Sequence, residues 1–385
     1  MRVFITAGEA SGDKLGAALM QGLRQLVPDV EFRGIGGTLM EQEGLESLFP
    51  MDEISVMGVS EILKEYRHLK ARIRETADAV IADKPDVLIT IDLPEFSLRV
   101  NKLVKEVSDV RVVHYVAPTV WAWRPKRAGK MAHHVDQVLA LLPFEPPYMQ
   151  AAGMDCDFVG HPVVTDQIAT QAEADAFRVK HAIKGPMALV LPGSRRSEIG
   201  RLMPIFAQTA ALLHDKRPDL RLVLPAAGNV VDAVQEAVRD WPGAPLVIDP
   251  RQDDGSDKRA AFRAADVALA ASGTVSLELA AAGTPMVIAY DMSWLSRQII
   301  GRMMLVDTVT LVNLVSETRA VPEFIGKDCL PGPIADAVLH ELDAPGTQQE
   351  AMRLTMERLG LGGEHPGLRA ARAVLNGLGQ GATRH

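Results

Sequence analysis

Short apolar runs alternate with helix-period stretches along this chain, and the alternation runs through twice. The first series has strand candidates at 2–6, 30–35, 86–91 (DVLITI), 110–115 and 135–141, with helical patterns at 13–26, 69–83 and 96–107. The second begins after about residue 165, with strand candidates at 187–191 (MALVL), 220–224, 246–248, 266–270 and 285–290 and helical patterns at 170–183, 199–216, 229–240 and 274–283. Such alternation implies βαβ units and parallel sheets. The join, "FVGHPVVTDQ" (158–167), carries Gly160 and Pro162 and reads as a linker. The expectation is an α/β protein of two Rossmann-like, doubly wound domains, 1–165 and 166–359, facing each other across a cleft. Helices at about 360–385 are expected to pack back on the first domain. Ligands of such sheets sit beyond the carboxyl ends of the strands.

With 385 residues, 47% of them hydrophobic, each domain can bury its own core. The net charge of −8 argues against a general nucleic-acid binder. Cys156 and Cys329 are the two cysteines, without motif spacing, so neither a disulfide framework nor a Cys-based zinc site is expected, and a reducing compartment fits. No signal-peptide pattern opens the chain. No apolar run approaches the roughly 20 residues that span a bilayer. A cytoplasmic location is expected, with any membrane contact peripheral.

Two turns of the second series point to a phosphate. "LPGSRRSEIGRLMPIF" (191–206) follows a strand and opens a helix, with Ser194 and Arg195 at the turn. Backbone amides, the helix dipole and a guanidinium suit a diphosphate. "ASGTVSLELAAAGTPMVIAY" (271–290) supplies a second small-residue turn, Ser272, Gly273 and Thr274, with Glu278 one helical turn further on. A carboxylate there can accept hydrogen bonds from a ribose diol. The plain alternatives are a surface turn with solvated arginines and an acid favoured by the helix dipole. The Walker pattern is absent, so ATP hydrolysis is not indicated.

The first series carries the other chemistry. "FITAGEASGDKLGAALM" (4–20) has the layout of a phosphate cradle, yet holds two carboxylates, Glu9 and Asp13. "ITIDLPEFSLRVNK" (89–102) ends an apolar strand on Asp92, where a general base can stand; capping of the next helix is the alternative. "HYVAPTVWAWRPKRAGKMAHHVD" (114–136) crowds Trp121, Trp123, Arg124, Lys126, Arg127 and Lys130 together, either to grip a phosphate, sugar or head group or as a solvated helix face. "PMDEISVMGVSEILKEYRHLKARI" (50–73) places Val56, Met57, Val59 and Ile62 ahead of a basic run, as core or as an amphipathic segment at a bilayer. No metal-ligand constellation is seen.

Taken in order, "AGEASGD" (7–13), "GIGG" (34–37), "SLFPMDEISVMGVSEIL" (47–63), "IDLPEF" (91–96), "HYVAPTVWAWRPKR" (114–127), "LPFE" (142–145), "FVGHP" (158–162), "LPGSR" (191–195), "ASGTVSLE" (271–278) and "PMVIAY" (285–290) resemble the lipid-A-disaccharide synthases, inverting glycosyltransferases of the GT-B fold. The chain departs from that family's common pattern at Glu95, where an Asp is usual, at Ala117–Thr119, and at "LVN" (311–313), where L-P-N is usual.

The resemblance implies UDP-2,3-diacylglucosamine as donor and 2,3-diacylglucosamine 1-phosphate as acceptor. The products are UDP and a β-1,6-linked disaccharide 1-phosphate, made on the cytoplasmic face of an inner membrane that the enzyme touches peripherally. It implies Asp92 as base and Arg195, with the Ser194 and Ser272–Thr274 turns, as stabilisers of the leaving UDP. Glu278 would hold the ribose and Asn313 would help place the nucleotide. No cofactor or metal is called for, nucleic acid is not a partner, and a homodimer is compatible. Glu9, Ser11 and Asp13, with Trp123 and Arg124, would face the acceptor, although Ser11 or Asp13 can equally cap a helix. Val56, Met57, Val59 and Ile62 would meet acyl chains. The rivals are a UDP-N-acetylglucosamine 2-epimerase, a non-catalytic nucleotide-sugar binder and, more remotely, an NAD-dependent dehydrogenase.

Overall fold

The computed structural model describes residues 1–55, 59–292, 304–344 and 346–381, side chains excepted at 59–66, 380 and 381. The chain divides into two compact units: Met1–Thr165 with the segment that begins at Gly362, and Asp166–Leu361.

Among the described residues the first unit holds a seven-stranded parallel sheet. Its strands are β1 (Arg2–Thr6), β2 (Glu31–Ile35), β3 (Glu46–Ser47), β4 (Val87–Ile91), β5 (Arg111–Tyr115), β6 (Gln137–Ala140) and β7 (Asp155–Phe158), in the order β3-β2-β1-β4-β5-β6-β7. The chain builds outward from β1 to β3, returns, and builds outward again from β4, so the order reverses between β1 and β4. All five residues of β4, VLITI, are buried, because helices cover both faces of a central parallel strand.

The helix Ala10–Leu26 packs its Leu19, Met20 and Leu23 into the core beneath β1 and β4. Its outer flank receives the C-terminal helix Pro366–Gly381. That meeting is backbone against backbone. A Cβ on Gly367 would stand 2.4 Å from the Ala18 carbonyl oxygen, and one on Gly22 would stand 2.6 Å from the Gly367 carbonyl oxygen. Gln137 also donates to the Ala373 carbonyl at 2.9 Å, and Arg369 to the Phe158 carbonyl at 2.8 Å. The last helix thus belongs to the first unit although it follows the second in sequence.

In the second unit the described strands are β8 (Met187–Leu191), β9 (Arg221–Pro225), β10 (Leu246–Ile248), β11 (Val267–Ala270), β12 (Met286–Tyr290) and β13 (Glu323–Ile325), all parallel, in the order β10-β9-β8-β11-β12-β13. Here the reversal falls between β8 and β11. Val190, Leu222, Leu269 and Val287 from four strands share one core with Phe206 and Leu202 of the helix Arg196–Lys216. Among the described residues no helix is long and apolar enough to cross a membrane.

Candidate functional site

Each sheet leaves a notch at its reversal point, beyond the carboxyl ends of two strands that diverge in connectivity. In the second unit this notch is a cavity of about 570 Å³. The turn after β8 supplies Gly193, Ser194 and Arg195 to its wall, and the turn after β11 supplies Ser272, Gly273 and Thr274. Pro225 at the end of β9 and Ala226–Gly228 beyond it, together with Glu198, Lys258, Phe262 and Glu278, also line it. Four of these residues, Arg195, Glu278, Ser194 and Thr274, come from separate stretches of sequence that parallel pairing of β8 with β11 brings side by side.

The local reasons are visible in each turn. Gly193 has φ +105 and its missing Cβ leaves room for Glu198, whose Oε2 would lie 2.3 Å from a Cβ there. Gly273 has φ +151 and faces open space, so its backbone is accessible to a ligand. Glu198 was not singled out from the sequence. It accepts hydrogen bonds from the Ser194 and Arg195 amides at 3.1 and 3.3 Å and stands 3.7 Å from the Arg195 guanidinium. A carboxylate therefore already rests at the helix N-terminus where an anion is favoured. The spacing of Glu198 three residues after Arg195 is that of a capping acid, a signal the sequence does offer. Lys258 is the other addition: its ammonium donates to Glu278 at 2.7 Å and lies 5.2 Å from the Phe262 ring centroid. No sequence pattern marks it.

Asn313 does not line this cavity. It is 1% exposed, its amide donates to the Val321 carbonyl at 2.9 Å, and its oxygen accepts from the Val321 amide at 3.0 Å. Both polar ends of the side chain are used in holding the segment before β13, so any part it has in placing a nucleotide is indirect.

In the first unit the notch between β1 and β4 gathers the "AGEASGD" turn and the Asp92 turn. Gly8 lies so close to Leu93 that a Cβ would stand 2.0 Å from Leu93 Cδ1. Asp92 and Leu93 both take left-handed backbone conformations, φ 49 and 45, costly for residues with side chains. The turn is held by the Asp92 amide donating to the Tyr115 carbonyl at 2.9 Å and by Ser97 Oγ donating to the Asp92 carbonyl at 2.6 Å. Burial raises the Asp92 carboxyl above its ordinary value, opposed by a hydrogen bond from the Leu93 amide. Glu95, by contrast, is exposed and paired with Arg99 at 3.1 Å. A partly buried carboxylate with a raised pKa at the end of a central strand can take a proton from a substrate hydroxyl.

Asp13 departs from expectation. It is 5% exposed, and its carboxylate accepts from the amides of Gly37, Leu39 and Met40 at 2.9, 3.0 and 3.1 Å. It caps the short helix Thr38–Gln42 rather than its own helix, and ties "GIGG" to "AGEASGD". Both oxygens are engaged inside the unit, which favours the capping alternative for Asp13, at a neighbouring helix, over contact with the acceptor. Glu9 is partly buried and Ser11 exposed at the head of the helix Ala10–Leu26; Trp123 is partly buried and Arg124 exposed. Val56 and Met57, and the side chains of Val59 and Ile62, lie outside the described residues. Among the described residues no group of His, Cys, Asp or Glu is arranged to hold a metal ion.

Comparison with known proteins places the chain by family and fold. Residues 3–367 match the family model for lipid-A-disaccharide synthetase. The lipid-A-disaccharide synthase of Ruegeria pomeroyi is 61% identical over 383 residues, covering 98% of this chain and 96% of that one. Among solved structures, the UDP-GlcNAc 2-epimerase of Methanocaldococcus jannaschii, in complex with UDP-GlcNAc and UDP, superposes with a TM-score of 0.63 at 12% identity, over 98% of this chain and 100% of that one. The calicheamicin glycosyltransferase superposes with a TM-score of 0.59 at 16% identity, over 98% of each chain. These two likenesses establish the fold, which GT-B glycosyltransferases and UDP-sugar epimerases share.

Proposed function

Because the chain belongs to the lipid-A-disaccharide synthetase family, we propose that it joins UDP-2,3-diacylglucosamine to 2,3-diacylglucosamine 1-phosphate with inversion at the anomeric carbon. Membership makes it a glycosyltransferase of lipid A disaccharide synthesis, acting on a UDP-sugar donor and a sugar acceptor. The observation that carries the finer reading is the cavity at the β8/β11 reversal, where Arg195, two small-residue turns and Glu278 share one wall.

The donor's diphosphate sits against Arg195, Ser194 and the Ser272–Thr274 amides, and Glu278 accepts from the ribose hydroxyls. Asp92 takes the proton of the acceptor 6-hydroxyl. The 6-oxygen forms a bond to the donor's anomeric carbon as the bond from that carbon to the diphosphate oxygen breaks, and the electron pair leaves on UDP. Negative charge grows on the leaving oxygen, where a guanidinium and oriented amides stabilise it most in a site poor in water. The raised pKa of Asp92 suits a base that must gain a proton in the transition state. Peripheral contact with a membrane suits the diacyl nature of both proposed substrates, and the cytoplasmic face of an inner membrane suits a UDP-sugar donor.

The test is disaccharide formation from the two acylated substrates by wild type, Asp92→Ala and Arg195→Ala. A loss of 10²-fold or more for Asp92→Ala is expected from a general base. Full turnover by Asp92→Ala rejects Asp92 as the base. Conversion of the UDP-sugar alone into an isomer rejects the transferase in favour of an epimerase.

A further inference from the structure

The chain is acidic overall, yet no Asp or Glu falls between residues 110 and 135. Arg124, Lys126, Arg127 and Lys130 lie together inside that window. Many guanidinium groups elsewhere are answered by carboxylates, as in Arg111 with Asp155, Arg178 with Asp266 and Arg251 with Asp249, or by backbone carbonyls, as in Arg263 with Ala282. Among the described residues these four cations have no carboxylate partner.

They are nevertheless carried on a built segment. Ala117, Val120, Ala128 and Met131 are buried in the core of the first unit. Trp121 donates to the buried Glu145 at 3.2 Å and meets Phe144 edge-on. Trp123 donates to Thr119 at 3.2 Å, and the Arg124 guanidinium stacks 4.2 Å from its ring centroid. Such stacking orients a planar guanidinium before any ligand arrives. Lys126 and Lys130 are exposed one helical turn apart, and Arg127 is partly buried. The buried His114 imidazole is pushed down to about 4, chiefly by burial and further by the Arg127 charge, as expected where no acid shields that charge.

The segment leaves the sheet from β5, whose last residue, Tyr115, accepts the Asp92 amide. The four cations thus lie on the segment that follows the strand end to which the Asp92 turn is tied.

We propose that Arg124, Lys126, Arg127 and Lys130 form the site for the phosphate monoester of the acceptor sugar. The proposal rests on the functional reading above. A phosphate monoester carries close to two negative charges at neutral pH and suits guanidinium and ammonium donors converging from several directions. A cation cluster left unpaired inside an acidic chain is then balanced by substrate rather than by protein.

The experiment compares two acceptors, the diacylated sugar with and without its 1-phosphate, in neutral detergent micelles. The enzymes are wild type, Lys126→Ala/Arg127→Ala and Arg127→Lys. Wild type should favour the phosphorylated acceptor in kcat/KM, and the double variant should lose that preference at least tenfold. Arg127→Lys should recover part of it. Binding of soluble glucosamine 1-phosphate against glucosamine, followed by calorimetry, gives a readout that does not depend on turnover. Equal losses on both acceptors, or an undiminished preference, overturn the proposal. So does a double variant that keeps its preference but no longer binds vesicles of anionic phospholipid, since the cations would then serve a lipid surface. If wild type makes no disaccharide, the functional reading fails. The phosphate site then stands only if the double variant loses glucosamine 1-phosphate binding that wild type shows.

Discussion

Lys258 donates to Glu278 at 2.7 Å on the cavity wall of the second unit, joining two helices whose contributing residues lie 20 positions apart. Both side chains are substantially exposed, so the pair contributes at most about 1 kcal/mol to stability. Its consequence is orientation: Lys258 holds Glu278, the proposed ribose ligand, in place.

Lys258→Met should therefore leave the melting temperature nearly unchanged and weaken UDP binding about tenfold, as read by calorimetric titration. Glu278→Gln should weaken it comparably. The double variant should lose less than the sum of the two, because residues in contact do not act independently. Additive losses would detach Lys258 from the role of Glu278.

The pH profile tests Asp92 as the proposed base. A base must be ionised, and burial raises its pKa, so activity should fall on the acid side at a pH above the ordinary aspartate value of about 4. The acid limb of kcat/KM should disappear in Asp92→Asn, with the residual rate lower by 10²-fold or more. An acid limb that persists unchanged in Asp92→Asn would assign it to another group.

Asp13→Asn separates structural from ligand-binding carboxylates. Its three amide donors would face a side chain with one accepting oxygen and an NH₂ group. Leaving a buried donor unmatched costs about 1–3 kcal/mol. The variant should melt lower, by thermal or urea unfolding, while UDP titration gives the wild-type affinity.

Gly367 and Gly379 form a control pair on the last helix. Gly367→Val places a side chain against the Ala18 carbonyl and should cost about 1–3 kcal/mol in urea unfolding. Gly379 faces nothing within 4 Å, so Gly379→Ala should be neutral or stabilising by about 0.5–1 kcal/mol through helix propensity. Equal tolerance at both positions would mean that the close approach to Ala18 is not maintained in solution.

The His114 imidazole offers a stability test with a defined sign. Its pKa is lowered to about 4 in the fold, against about 6.5 in an unfolded chain. The unfolded chain binds the proton more tightly, so stability is complete above pH 6.5 and is lost as pH falls from there toward 4. Wild type should lose more stability across that window than His114→Asn, measured by urea unfolding at each pH.

Central strands were legible in the sequence because they are buried on both faces and so must be continuously apolar: VLITI of β4 and MALVL of β8 announce themselves. The short strands β3, β7 and β13, of sequence ES, DCDF and EFI, do not, because an edge strand pairs on one side and keeps polar residues. The turns of the candidate site were legible for a related reason. Small residues and a charged neighbour between a strand and a helix are a local requirement of an anion site, and local requirements leave local patterns.

What pairs across the fold left no such trace. The sequence alone determined two doubly wound α/β units, the turns at their reversal points, and Asp92, Arg195 and Glu278 as the residues to watch. Tertiary structure decided that Asp13 and Asn313 are engaged internally, that Lys258 meets Glu278, and that the last helix, expected on the first unit, docks there backbone against backbone at Gly22 and Gly367. Each of these depends on which backbone or side-chain group a polar atom reaches after the chain has folded, and distance in space is not encoded in the spacing of residues along the chain.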